Sequence, residues 1–221
     1  MARLPRLALP QHAHYIIQRG HSGRAVFADA EDRADYLAAL RAAAAQSQVQ
    51  LHAWALLEGE VQLLATPALR PSLGQMLQAV GRRYVSAYNR RHGRSGTLWD
   101  GRFRCAVVEP GAMRLAALSL IDGQSPEPGI TSASHRLGGP TDPALADPPE
   151  VWQLGNTPFE REAAYRALLV QGLPASVAEA LRRAALGGWA AGTPAFAAQV
   201  AEAAARPALP RAKGRPPLAS R

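Results

Sequence analysis

The sequence predicts an α+β fold, a small antiparallel sheet with helices packed on it. Two apolar runs, VQLHAWALL at 49–57 and EVQLLAT at 60–66, flank the tight connection Glu58-Gly59 and read as a hairpin. A helical period follows: Leu73, Met76, Leu77, Val80, Tyr84 and Tyr88 recur at spacings of three and four. The whole order is strand, helix, hairpin, helix, strand, helix, which is an α+β order.

Each element has its own signal. HYIIQ at 14–18 is a short strand that stops at Arg19-Gly20. Residues 29–48 form a helix whose first turn is crowded with acids, where the helix dipole favours them. Ser72 opens the next helix, Gln75 completes a capping-box pattern, and Gly93 ends it. RFRCAVVE at 102–109 is a further strand, and Pro110 starts a helix that runs to about Asp122. Residues 124–150 are rich in Pro, Gly and Ser and read as an irregular linker. Three helices are expected at 157–171, 176–190 and 193–206, with Trp152, Phe159, Tyr165, Trp189 and Phe196 as packing anchors. The basic, proline-rich end reads as disordered. The expected organisation is a domain at 1–123, a linker at 124–150, a helical region at 151–206 and a tail at 207–221.

The chain has 221 residues, 48% of them apolar, enough for a real core. Its formal net charge is +8, which points to a polyanion partner. Lys213 is the only lysine, so drift toward arginine in a GC-rich genome explains the residue type. Drift does not explain why the excess clusters. Cys105 is the only cysteine, which excludes an intramolecular disulfide and a cysteine metal site and fits a reducing cytoplasm. No apolar run approaches the roughly 20 residues of a membrane span. The start MARLPRLALP is not a signal peptide pattern, and a cytoplasmic location with no membrane partner is expected.

The clustering centres on GRRYVSAYNRRHGRSGTLWDGRFR at 81–104. Seven arginines, Arg82, Arg83, Arg90, Arg91, Arg94, Arg102 and Arg104, face a single acid, Asp100. Tyr84, Tyr88, Trp99 and Phe103 lie between them. Guanidinium groups hold phosphates, and flat rings offer bases a stacking surface. The competing reading of the charge is a solvated basic face. The helical spacing of Tyr84 and Tyr88 favours core packing for those two rings.

This block carries a resemblance. Together with LPRLALP at 4–10, IIQRG at 16–20, FADAEDRADYL at 27–37 and LHAWALL at 51–57, it resembles the REP-associated tyrosine transposases, small bacterial HUH transposases that use one tyrosine. LGNTPFEREAAYRALL, GGWAAGTPAF and KGRP resemble the C-terminal extension of one branch of that family. The resemblance spans nearly the whole chain except about 120–150. It implies a ferredoxin-like antiparallel sheet with packed helices, a small C-terminal helical region and a basic tail. It also implies a chemistry: a His-hydrophobic-His strand holds a divalent metal, which would be magnesium or manganese here only if activity survives, the metal polarises a phosphate of single-stranded DNA, and a helix tyrosine attacks it.

The residues that this chemistry needs are substituted here. The metal pair falls on Glu60 and Gln62, and the nucleophile falls on Leu120. The family's Met-Pro-Asn falls on Leu57, Glu58 and Gly59, and its Asn-Pro after the tyrosine is lost. A carboxylate at 60 remains able to ligate a metal, so Glu60 and Gln62 are weak metal candidates. Leu120 has no nucleophilic atom. Tyr84 or Tyr88 are the substitutes to weigh, against their place on the apolar face. His12-Ala13-His14 imitates a metal pair at a strand where the family has no ligands. Lys213-Gly214-Arg215-Pro216 resembles an AT-hook core, an extended segment suited to a narrow minor groove, or else is a plain basic tail.

The sequence therefore reads as a DNA-binding member of the transposase family that cannot nick DNA. Its expected partner is single-stranded or hairpin DNA, and a homodimer stays open. The DNA-binding candidates are the seven arginines with Lys213 and Arg215. Two alternatives stand beside this reading: an active transposase using substituted residues, and a decayed copy with no selected function.

Overall fold

A computed structural model describes residues 6–210. The elements run β1 (His14–Arg19), α1 (Ala30–Gln46), β2 (Val49–Leu57), β3 (Glu60–Pro67), α2 (Ser72–Arg91), β4 (Arg104–Val108), α3 (Ala112–Asp122), α4 (Pro149–Trp152), α5 (Pro158–Gln171), α6 (Ala175–Gly187), β5 (Ala190–Ala191) and α7 (Pro194–Ala204). The fold is α+β. The sheet order is β2-β3-β1-β4-β5. The pairs among the first four strands are antiparallel, whereas β5 lies parallel to β4, so the sheet is mixed.

The period of two along the strands splits the core into two layers. Ile16, Leu63 and Ala65 face α1 and α2, packing on Tyr36, Leu40, Met76 and Val80. Tyr15, Ile17 and Leu64 face the other way, onto Leu118 and Ile121 of α3, Tyr165 of α5 and Leu181 of α6. The sheet is thus covered on both faces. Each fully buried aliphatic side chain contributes about 1.5–3 kcal/mol of transfer free energy.

Tyr84 and Tyr88 belong to the first layer, at 1% and 6% exposure. The Tyr84 hydroxyl donates to the Val26 carbonyl at 2.5 Å. Its ring meets Tyr36 edge-on at 5.2 Å between centroids. Trp99 and Phe103 are also buried. All four rings of the 81–104 block therefore pack inside and hold the arginine-bearing backbone; they are not a stacking surface for bases.

Several expectations need correction. The helix expected to reach 190 stops at Gly187, because Gly188 takes a left-handed φ of 72°. The chain then forms β5, whose two alanines carry no strand signal of their own. Trp152 and Phe159 are not anchors: they are 58% and 82% exposed. Tyr165 is the inward residue of α5, and Phe159, six residues earlier, lies about 240° around the helix from it. Tyr165 and Phe196 are buried as expected. The strand expected from 102 begins at Arg104.

Residues 124–148 hold one short 3-10 helix, Ser132–His135, and are otherwise irregular in backbone, but they are packed. Leu56 N–H donates to Ile130 O, and Ala146 N–H donates to Leu51 O, both at 2.8 Å. The segment therefore occupies the outer edge of β2, which would otherwise expose unpaired backbone groups. Ser132 Oγ donates to Asp122 at 2.5 Å, and Arg136 meets Asp122 at 3.0 Å. No helix among the described residues is long and apolar enough to cross a membrane.

Candidate functional site

Glu60 and Gln62 stand two apart on β3, so their side chains share one face. That face is the one covered by α3 and α6. Arg182 of α6 forks onto the Glu60 carboxylate, with Nη1 to Oε1 at 2.9 Å and Nη2 to Oε2 at 2.8 Å. Arg19, at the end of β1, adds Nε to Oε2 at 3.0 Å. Gln62 Nε2 donates to Glu60 Oε1 at 2.8 Å, and the Tyr15 hydroxyl donates to Gln62 Oε1 at 2.7 Å. Burial works against the charge on Glu60, but the hydrogen bonds and charge of Arg182, then Arg19, outweigh it and hold the carboxyl below its usual range. Tyr15 moves the other way, its hydroxyl pushed up by burial.

This network does not fit a divalent metal. Both oxygens of the single carboxylate accept from guanidiniums, and the amide oxygen of Gln62 is taken by Tyr15. Two positive groups sit where a cation would have to approach. Among the described residues, no three His, Cys, Asp or Glu side chains stand together so as to hold a metal. Leu120 lies in the last turn of α3, half-buried, and packs against the second core layer.

The His12–His14 pair is no ligand set either. His14 is buried, its Nδ1 bonds the His12 carbonyl at 2.7 Å, and its Nε2 accepts from Leu9 N–H at 3.2 Å. Burial lowers its pKa to about 4, so the ring is neutral. His12 Nδ1 bonds Pro10 O at 2.8 Å.

The seven arginines divide into three kinds. Arg91 is committed to structure: it reaches Asp29 and Glu31 at 2.7 Å and Asp32 at 2.6 Å. It thereby ties the end of α2 to the acidic first turn of α1. Its hydrogen bonds, with that of the Asp32 backbone, hold the Asp29 carboxyl at about 2. Arg94 stacks over the Tyr88 ring at 5.5 Å. Arg82, Arg83, Arg90, Arg102 and Arg104 are exposed and make no ion pair among the described residues.

The backbone that carries them is pinned. His21 N–H donates to Leu98 O at 2.9 Å, and Asp100 N–H to Arg19 O at 2.8 Å. Asn89 Nδ2 closes the turn after α2 on Gly96 O at 2.9 Å. Lys213 and Arg215 lie outside the described residues.

Sequence reasoning missed Arg182 and Arg19. Leu181 and Ala185 mark the inward stripe of α6, and Arg182 sits on its flank. That position is readable as a basic group at the edge of a buried face. Its partner, 122 residues away in sequence, is not readable.

No protein-family model matches the sequence, and no curated protein matches it. Among solved structures, the chain is similar to a REP-associated tyrosine transposase bound to a REP hairpin, with a TM-score of 0.52 and 9% identity over 67% of this chain and 92% of that one. The chain has the fold of that transposase. At 9% identity the likeness speaks for the fold alone. A weaker likeness, with a TM-score of 0.38, is to a candidate transposase from Deinococcus radiodurans R1, at 23% identity over 49% of this chain and 88% of that one.

Proposed function

We propose that this protein is a degenerate single-tyrosine HUH transposase that binds single-stranded or hairpin DNA and does not cut it. The observation that carries the reading is the set of exposed arginines, Arg82, Arg83, Arg90, Arg102 and Arg104, held on rigid backbone without acidic partners among the described residues. Phosphates supply the counter-charge such a set lacks. A solved protein of the same fold is bound to a REP hairpin, which supports a hairpin partner here.

The loss of cutting follows from the substituted positions. Leu120 offers no nucleophile. The Glu60 carboxylate is neutralised by Arg182 and Arg19 in place of a metal. Tyr84 and Tyr88 are packed in the core, out of reach of a phosphate.

Salt titration of binding to a labelled DNA hairpin with a single-stranded foot tests this. Each phosphate contact on a single strand adds about 0.7 to the magnitude of the log–log slope. The Arg83→Ala/Arg90→Ala variant is expected to lose about 1.4 of slope and to bind more weakly. Binding with unchanged slope and affinity contradicts the proposed surface.

A further inference from the structure

A hollow of about 580 Å³ lies between the end of β1, the start of α2 and the turn before β4. That volume is in the range of small-ligand sites. Gln18 of β1 lines it. The residue is 8% exposed, and its Oε1 is buried without a hydrogen-bond partner. A buried amide oxygen left unpaired costs stability, so its presence calls for a reason. The terminal χ3 torsion of glutamine is broad, and a small rotation brings Oε1 to a ligand in the hollow. Gln75 and Gln78, exposed on α2, add two further amides to the lining. Leu77 and Phe103, both buried, give it an apolar wall. No acidic residue lines it. Gly74 lines it as well, inside α2, and a Cβ placed there would meet nothing within 4 Å. Packing does not demand glycine at that position, and glycine disfavours a helix. Its missing side chain leaves the hollow open.

We propose that this hollow seats one unpaired nucleobase of the bound strand, with Gln18 as the residue that reads its edge. An unpaired base presents an apolar ring and an edge of donors and acceptors. The lining answers with an apolar wall and with amides, which supply both kinds of group. Adenine fits the glutamine best: Oε1 accepts from the exocyclic amine, and Nε2 donates to the ring nitrogen beside it. Arg102 stands exposed on the same lining and holds the adjoining phosphate. The proposal rests on the DNA-binding reading and adds base selection, which phosphate contacts do not supply.

The test compares two DNA hairpins, one with a single-stranded foot of deoxyadenosines and one with a foot of 2′-deoxynebularines. The second purine keeps the ring and lacks the exocyclic amine. The unaltered protein is expected to bind the adenine foot about 10-fold more tightly. Gln18→Met, of similar shape without the amide, should bind both hairpins equally. It should also unfold no more easily than the unaltered protein, because it removes the orphaned oxygen. A Gln18 that serves only the fold would leave the preference intact. Gly74→Leu fills the hollow from a position with open space around it and should likewise abolish the preference. If Gln18→Met does not fold by circular dichroism, Gly74→Leu carries the test. Equal affinity of the unaltered protein for the two hairpins, or a preference that survives these substitutions, overturns the proposal and leaves the DNA-binding reading standing. If the unaltered protein binds neither hairpin, both are overturned.

Discussion

Changing Arg182 to alanine removes the bidentate partner of a largely buried carboxylate. Breaking a fully buried ion pair costs about 3–5 kcal/mol. Here the Arg182 side chain is 41% exposed, so water screens part of the interaction, and Arg19 remains 3.0 Å from Glu60. Those two facts reduce the expected loss to about 1–2 kcal/mol. For a domain of this size that lowers the thermal midpoint by about 2–8 °C.

The pH dependence has a definite sign. Glu60 has a lowered pKa in the folded state, so its pairing stabilises the protein above the ordinary carboxylate range and the effect fades as pH falls through the folded value. Thermal unfolding of Arg182→Ala beside the unaltered protein should therefore show the largest gap near neutrality and a shrinking gap in acid. Adding Glu60→Gln should recover part of the loss, because the unpaired buried charge goes with it. Equal midpoints at neutral pH, or a gap that widens in acid, would refute the assigned network.

Arg91→Ala should lower the urea midpoint, since it unties α2 from the first turn of α1. It should leave the salt slope of DNA binding unchanged, in contrast to Arg83→Ala/Arg90→Ala. Tyr84→Phe leaves the Val26 carbonyl without its donor and should cost about 1–2 kcal/mol in chemical unfolding. Phe159→Ala removes an exposed ring and should change stability by less than about 0.5 kcal/mol. A large loss there would mean that Phe159 is covered in solution.

Local periodicity carried much of the fold. The β2–β3 hairpin, the inward face of α2 and the capped start of α5 are each set by residues within a few positions of one another. β5 was not legible, because Ala190-Ala191 has no pattern and pairs only through β4. The packing of 124–150 was not legible either. Its Pro, Gly and Ser content describes an irregular backbone and is silent on whether that backbone meets an open strand edge. The site divides the same way. The arginine cluster and the substituted positions at 60, 62 and 120 are local features. The commitment of Arg91 to three acids and the closing of Glu60 by Arg182 are contacts across 59 or more residues. Only the folded chain shows that one of seven arginines is already neutralised, and that a carboxylate left as a candidate ligand is occupied.

The proposed function is to hold DNA without cutting it. An end-labelled hairpin with a single-stranded foot, incubated with the protein and magnesium or manganese and resolved under denaturing conditions, tests it most directly. A retarded band under native conditions and full-length, protein-free strand after denaturation are expected. A shortened strand joined covalently to the protein would contradict it.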